Sequence, residues 1–456
     1  MKNEFYILLG AMMLSSIGSF AQNVEKGVDS VKLNQYGQKV ESFDLETQAR
    51  NSIITFESKD GDYKFWMDNR VLFDGAYFFD KDTYNSVGNG VTIRRARLAI
   101  KTILHKNWYA ELDMDFAGSQ LELKDAYIKY TNDRGDLNLK AGHFREGFSM
   151  ETTTTSRYVT FIERSLPSKF SPSRHLGFQV NYMKERYLFT GGVHFNTIGD
   201  PEETEYAQDA NKGSSTDEGY SLTGRFVYRP IYDNDKVLHI GSAASYRTPK
   251  TDLEVPDSYR FSTRSISNIN RKKYLDTDDI PNVGSNTLFN VELAGSYKNI
   301  FFQSEYFNND IKRTEGLSGV NLNGLYAQVG YLLGDGKYRY NKNEGEFTQP
   351  GLGGKGEFEV AFRFDYIDLN DEVANIYGGS ANGYTLGLNY YVNPNVKLML
   401  DYSYLNHDRY ANGKGKLFVG TDIDGNPTKD PREVVEAKGK AGEDFGQVQF
   451  RIEIDF

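Results

Sequence analysis

Gln447-Val448-Gln449-Phe450-Arg451-Ile452-Glu453-Ile454-Asp455-Phe456 is the last stretch of the chain. Phe456, Ile454, Ile452, Phe450 and Val448 share one face, and Asp455, Glu453, Arg451 and Gln449 share the other. A strict period of two, apolar on one side and charged on the other, describes a β-strand lying between two unlike media. A soluble sheet can meet the same condition. Here the pattern recurs along the chain, behind a secretory-type leader, and the final residue is aromatic. Together these features predict an all-β fold: a closed antiparallel up-and-down transmembrane β-barrel of an outer membrane, with lipid outside and water inside.

The amino end agrees with that reading. Lys2 supplies a positive start, Phe5 to Ile17 an apolar core, and Ser19-Phe20-Ala21 a small-x-small cleavage site. Residues 1–21 are therefore expected to be a signal peptide, with the mature chain starting at Gln22. The apolar stretch is too short for a membrane anchor, and no later segment offers about 18 consecutive apolar residues.

Composition fits a barrel. The mean hydropathy is -0.59, because half of each barrel strand faces water. There are 32 Tyr and 30 Phe against 2 Trp, a supply suited to aromatic girdles at the two membrane interfaces. With 44 Gly and 11 Pro, the chain is provided for many turns. Cys is absent, which excludes disulfides, thiolate metal sites and a lipid-anchoring Cys. A net charge of -10 argues against nucleic acid as a partner.

Residues 22–62 read as a periplasmic extension: polar and without clear period over 22–50, then a short hairpin turning at Asp60-Gly61. Residues 63–456 read as the barrel. Alternation is cleanest over 90–144. Ala96, Leu98, Ile100 and Leu104 oppose Arg95, Arg97 and Lys101, and Ala110, Leu112 and Met114 oppose Glu111, Asp113 and Asp115. Strands are expected near 63–79, 94–104, 108–116, 125–130, 137–142, 174–184, 186–196, 219–229, 236–247, 287–298, 299–309, 321–333, 356–369, 382–392, 396–407 and 445–456. This makes sixteen, an even number, wide enough to enclose an aqueous channel. Long loops are expected at 145–173, 197–218, 248–286, 370–381 and 408–444, on the side opposite the short turns. The connector 334–355 is long and Gly-rich, yet falls on the short-turn side.

Several segments carry a family resemblance. They are Gly142-His-Phe-Arg-Glu-Gly-Phe-Ser-Met-Glu151, Phe161-Ile-Glu-Arg-Ser-Leu166, Phe170-Ser-Pro172 and Arg174-His-Leu-Gly177. Arg94-Arg-Ala-Arg-Leu98 precedes Leu123-Lys-Asp-Ala-Tyr-Ile128. Later come Leu325-Tyr-Ala-Gln-Val-Gly-Tyr-Leu-Leu-Gly334, Asp365-Tyr-Ile-Asp-Leu-Asn-Asp371 and Gly387-Leu-Asn-Tyr-Tyr-Val-Asn-Pro-Asn-Val-Lys-Leu-Met-Leu-Asp-Tyr402. In this order they resemble the phosphate-selective porin O and P family, over nearly all of the chain after about residue 55. The leader's style resembles that of Bacteroidetes secreted proteins. The resemblance implies a homotrimer of sixteen-stranded barrels, an inward-folded third loop that narrows the pore, and lumenal arginines and lysines that guide anions. It also implies an outer-membrane location in a Gram-negative bacterium, with Phe456 read by the barrel assembly machinery.

On this strand count the third loop is 145–173. It carries Arg145, Arg157, Arg164 and Lys169 against Glu146, Glu151 and Glu163, a net of +1, with His143 and Arg174 flanking. The anion-guiding candidates are Arg95, Arg97, Arg145, Arg157, Arg164, Lys169 and Arg174, with Glu111, Asp113, Asp115 and Glu163 as lumen counter-charges. The family's paired arginines match Arg94 and Arg95. Alternation turns Arg95 and Arg97 inward and leaves Arg94 facing lipid, unless it lies at the rim or a bulge rotates it. The neighbouring strand offers carboxylates on the same face, so Arg95 and Arg97 are expected to be ion-paired wall residues. Arg157 and Arg164 are expected to face the passing ion. Lumen residues such as Asp113 are expected to tolerate neutralisation.

Nothing points to catalysis, a metal or a cofactor. The six His show no H-E-x-x-H spacing, and no G-x-S-x-G elbow stands on a strand-to-helix turn. Thr421-Asp-Ile-Asp-Gly-Asn426 has a loose calcium-loop look, but lacks the closing Glu at the required distance. The expected function is passive diffusion of small hydrophilic solutes, general or weakly anion-preferring. The alternatives are a strictly phosphate- or polyphosphate-selective channel, and a non-conducting barrel with adhesive outer loops.

Overall fold

In the computed structural model the terminal strand does what its alternation requires. Phe450, Ile452 and Ile454 are 38%, 40% and 41% exposed, while Gln449, Arg451 and Glu453 are 3%, 2% and 2% exposed. The apolar face looks outward and the charged face inward, the inverse of a soluble protein. The structure describes residues 44–50, 53–79, 83–198, 218–250 and 255–456, together with Leu33 and residues 36–39. The expected signal peptide, and with it the cleavage site after Ala21, lies outside the described residues, as does most of 22–43.

Sixteen wall strands follow one another in antiparallel order. They are β1 (Lys64–Phe79), β2 (Gly90–Leu104), β3 (Trp108–Asp115), β4 (Glu122–Thr131), β5 (Leu137–Arg145), β6 (Arg174–Met183), β7 (Tyr187–His194) and β8 (Ser221–Asp233). Then come β9 (Lys236–Arg247), β10 (Val283–Tyr297), β11 (Ile300–Arg313), β12 (Val320–Leu332), β13 (Glu357–Asp371), β14 (Ile376–Asn393), β15 (Val396–His407) and β16 (Asp444–Asp455). β16 pairs with β1, from Gly446 opposite Phe79 to Asp455 opposite Arg70, and this seam leaves the wall no free edge. At the seam Gly75 faces Phe450, whose ring would stand 2.2 Å from any Cβ added at Gly75, so a larger residue there would have to displace that ring. Before the wall, Leu45–Arg50 and Ile53–Ser58 form two further strands. The second folds back on Lys64–Trp66 through a turn with Gly61 at φ +72°.

Two expectations about connectors need correction. Residues 370–381 are not a long loop: β13 and β14 pair out to Asn370–Tyr377 and Asp371–Ile376. The tight turn between them closes with Asn375 in the left-handed region at φ +57°. Residues 45–50, expected to lack order, are part of a strand.

Three connectors fold inward. The third loop, between β5 and β6, is stitched to walls far from its own strands. The Met150 and Glu151 N–H groups donate to Glu305 on β11, Leu166 N–H to Asp365 on β13, and Ile162 N–H to Asp401 on β15. From β14, Asn389 donates to the Thr160 carbonyl at 2.8 Å. These partners lie across the barrel, so the loop crosses the lumen. The loop between β9 and β10 also turns in. Its Ser265 and Ile266 carbonyls accept from Gln447 and Gln449, with Ile266 held at φ +50°, a strained position for a β-branched residue. From the short-turn end, a hairpin of Lys337–Asn341 and Glu346–Gly351 enters the lumen. Tyr338 and Phe347 on it pack with Phe301, Leu332 and Tyr391 of the wall and with Met150 of the third loop.

The face assignment makes an energetic prediction. Leu112 is 38% exposed on the outer wall. Arginine near the bilayer midplane costs about 2–4 kcal/mol there. Leu112→Arg should lower barrel stability by that amount in urea unfolding from lipid, and Leu112→Phe should leave it near wild type. Equal tolerance of both would overturn the assignment.

Candidate pore constriction

The third loop, the inward hairpin and β1–β8 enclose a polar cavity of about 330 Å³. Its lining carries ten basic side chains against six carboxylates, an excess of four. Of the anion-guiding candidates, Arg95, Arg97, Arg145, Arg157, Arg164 and Arg174 line it, as do Glu111 and Asp113. Lys169 and Glu163 instead line a second cleft of about 380 Å³, with Arg94, Arg264 and Lys273. Arg164 borders both spaces.

Half of the ten basic groups are locked in pairs. Arg97 reaches Asp113 and Asp115, each at 3.1 Å. Arg174 holds Asp125 at 2.7 Å, Lys101 holds Asp68 at 2.6 Å, and Arg225 holds Glu292 at 2.8 Å. Arg157, expected to be free for solute, grips Asp68 at 2.5 Å and approaches Asp455 at 3.6 Å. Both carboxylates come from the β1–β16 seam, which a loop residue reaches only because the loop crosses the lumen.

Arg95, expected to be paired, is not. Among the described residues no carboxylate stands within 4.0 Å of Arg95, Arg145, Arg164 or Arg70. Arg164 donates to the Glu151 and Thr154 carbonyls at 3.0 and 2.6 Å. Arg70 donates to Thr155 and Ser156 hydroxyls at 2.9 and 3.1 Å. Neutral acceptors orient these forks without cancelling their charge. Burial draws the Arg164 guanidinium down to about 10, with Glu151 opposing and Arg174 adding to the shift, so the group stays charged at neutral pH.

A bulge explains Arg94. The register of β1 against β2 shifts between Leu72 and Phe73, and Arg94 is the extra residue. Rotated off the lipid face, it bonds Glu163 at 2.6 Å. Burial alone would raise the Glu163 carboxyl, but Arg94 overrides it and holds the group at about 2. Glu163 therefore neutralises Arg94 rather than Arg164. Asp113, expected to tolerate neutralisation, is buried and ion-paired with Arg97.

Sequence reasoning missed Arg70 and Arg225, which line the cavity, and the hairpin-tip residues Glu344 and Glu346; Lys140, expected from alternation to face water, lines it too. Parity on β1 would have found Arg70, two residues from the inward Asp68. Nothing local marks the hairpin tip. Its Glu344 and Gly345 carbonyls accept from Arg225 at 3.0 and 2.9 Å, and Tyr340 bonds His239 at 2.7 Å. The Thr421–Asn426 loop is an Asx turn: Asp422 Oδ1 accepts the Asp424 and Asn426 N–H groups.

A closed sixteen-stranded wall around an internally constricted, charged lumen is the architecture of an outer-membrane porin. The model of the phosphate-selective porin O and P family matches residues 67–423, and the chain belongs to that family. Porin O of Pseudomonas aeruginosa is 25% identical over 392 residues, covering 78% of this chain and 86% of that one. A Caulobacter vibrioides protein is 25% identical over 326 residues, covering 70% of this chain but only 64% of its own length. Among solved structures, OmpT of Vibrio cholerae superposes with a TM-score of 0.50 at 10% identity, covering 87% of this chain and 98% of that one. An in vitro folded trimer form of OmpT gives 0.50 at 9% identity, covering 86% and 99%. These superpositions concern the fold alone.

Proposed function

We propose that this outer-membrane channel conducts small hydrophilic solutes by passive diffusion and prefers anions. The observation that carries the reading is the group of arginines in the constriction, Arg70, Arg95, Arg145 and Arg164, that have no carboxylate within 4.0 Å among the described residues. A paired cation has no far field, whereas an unpaired one in a narrow aqueous path attracts anions and repels cations. Strict phosphate selectivity is the narrower alternative. Phosphate block of a large chloride conductance in planar bilayers would support it. Absence of any conductance would overturn both. The remaining expectations stand with this proposal: residues 1–21 as a secretion signal, Phe456 as an assembly signal, no enzymatic activity, and a homotrimer.

Two further results are expected. Deleting 150–168 removes the segment crossing the lumen, so single-channel conductance should rise; an unchanged value would place the constriction elsewhere. The second concerns pH. Burial, with Glu344 adding, pushes the Glu346 carboxyl up to about 8. Arg225 on the wall and Thr154 and Arg164 on the third loop oppose this. Glu346 is thus protonated below pH 8, which removes one of the cavity's six carboxylates, and ionises above it. Anion preference, read from reversal potentials, should be greater at pH 6 than at pH 9, and Glu346→Gln should flatten the change. The same shift means that ionisation between the ordinary carboxylate range and pH 8 favours the unfolded chain, so stability falls as pH rises through this window. A pH-independent selectivity in wild type would sink this assignment.

A further inference from the structure

Inward positions of a channel wall meet water and are ordinarily polar. On the short-turn side of the constriction this wall departs from that rule. Trp66 on β1, Tyr109 on β3, Tyr127 on β4 and Phe144 on β5 hold inward positions, and their rings follow one another at 6.0, 5.9 and 6.0 Å between centroids. Trp66, Tyr109 and Tyr127 are half-buried, so the lumen reaches them. Tyr109 stands two residues from the turn at 105–107, while Tyr127 and Phe144 line the constriction cavity. The rings thus form a strip that leads from the short-turn mouth to the constriction.

Two lysines stand along the strip. The Lys129 ammonium lies 4.7 Å from the Tyr109 centroid, and that of Lys140 lies 4.8 and 5.1 Å from those of Tyr127 and Phe144. A ring face steadies an ammonium group without cancelling its charge. Lys129 and Lys140 are cross-strand partners, and like charges placed opposite each other repel. Neither has a carboxylate within 4.0 Å among the described residues. The cavity's excess of four cations already counts Lys140, Glu111 and Glu344, and Lys129 adds to it.

We propose that this strip binds an aromatic carboxylate passing through the channel, with the solute's ring against Tyr127 and Phe144 and its carboxylate on Lys140. The inference rests on the anion-preferring reading above and narrows the solute. A bare inorganic anion is repelled by the negative face of a ring, so ring faces do nothing for it. A sugar needs partners for its hydroxyls, and the Tyr109 and Tyr127 hydroxyls already donate to Glu111 at 2.5 and 2.9 Å. The strip offers ring surface beside ammonium groups, the two features that an aromatic carboxylate combines.

Block of the chloride current through single channels in planar bilayers tests this, with benzoate and cyclohexanecarboxylate as probes of equal charge and similar size. Benzoate should half-block wild type at about fivefold lower concentration, the factor that an edge-to-face ring contact supplies. Tyr127→Leu should bring the two acids together, and Tyr127→Phe, which keeps the ring, should preserve the difference. Equal block by the two acids in wild type would overturn the proposal, and that measurement needs no variant to fold. So would a difference undiminished in Tyr127→Leu. Reversal potentials on the same channels separate the two readings. Chloride preference with equal block overturns the aromatic site alone, whereas cation preference overturns the anion-preferring reading with it.

Discussion

Arg95→Gln combined with Arg145→Gln should abolish most of the channel's anion preference while leaving the barrel as stable as wild type. Neither side chain has a carboxylate within 4.0 Å among the described residues, so the change strands no counter-charge. Both line the constriction cavity. A unit charge about 6 Å from a passing ion in water-like surroundings is worth ~0.7 kcal/mol, roughly a threefold bias in occupancy. Two such charges bias it about tenfold, and the chloride-to-potassium permeability ratio should fall by about that factor. The effect should grow at low salt, where the Debye length of about 30 Å at 0.01 M lets the field span the pore. Reversal potentials across a salt gradient, taken with thermal unfolding, decide the matter. A variant with unaltered selectivity would show that these arginines do not act on the permeating ion.

Arg97→Gln should do the opposite, costing stability. Arg97 bridges Asp113 and Asp115 across β2 and β3, and all three side chains are buried. Removing the guanidinium leaves two desolvated carboxylates facing each other. Breaking a buried pair from one side costs about 3–5 kcal/mol, chiefly through the stranded charge. The triple change Arg97→Gln, Asp113→Asn, Asp115→Asn should recover much of that loss, because the uncompensated charges go with it. Urea unfolding of the folded barrel from lipid measures both. A loss below about 1 kcal/mol for the single change would mean that water reaches the pair and screens it. The contrast between Arg95 and Arg97, two residues apart on one strand and facing the same lumen, separates a pore charge from a wall charge.

The barrel was legible residue by residue. Fifteen of the sixteen strands lie within four positions of the alternation, β14 starts six residues earlier than expected, and Leu98, Ile100, Leu112 and Ile128 oppose Arg97, Lys101, Glu111 and Asp113 as written. This follows because a strand's pleat assigns each residue a face without reference to any other strand, and hydrocarbon and water demand different chemistry on the two faces. The third loop's length, far beyond what a hairpin needs, likewise set it apart, and it crosses the lumen.

The constriction was not legible in the same way. Arg94 turned inward through a bulge set by its pairing with β1, and it then took Glu163 from Arg164. Arg157 met Asp68, 89 residues away, because the loop crosses the lumen on backbone bonds to Asp365 and Asp401. Glu346 entered the site on a connector with no periodicity at all. Which cations remain unneutralised depends on distances among groups from many strands and loops, since Coulomb energy falls with separation in space. Alternation can place an arginine in the lumen; only the closed and crossed chain brings a carboxylate to it or leaves it open to the passing ion.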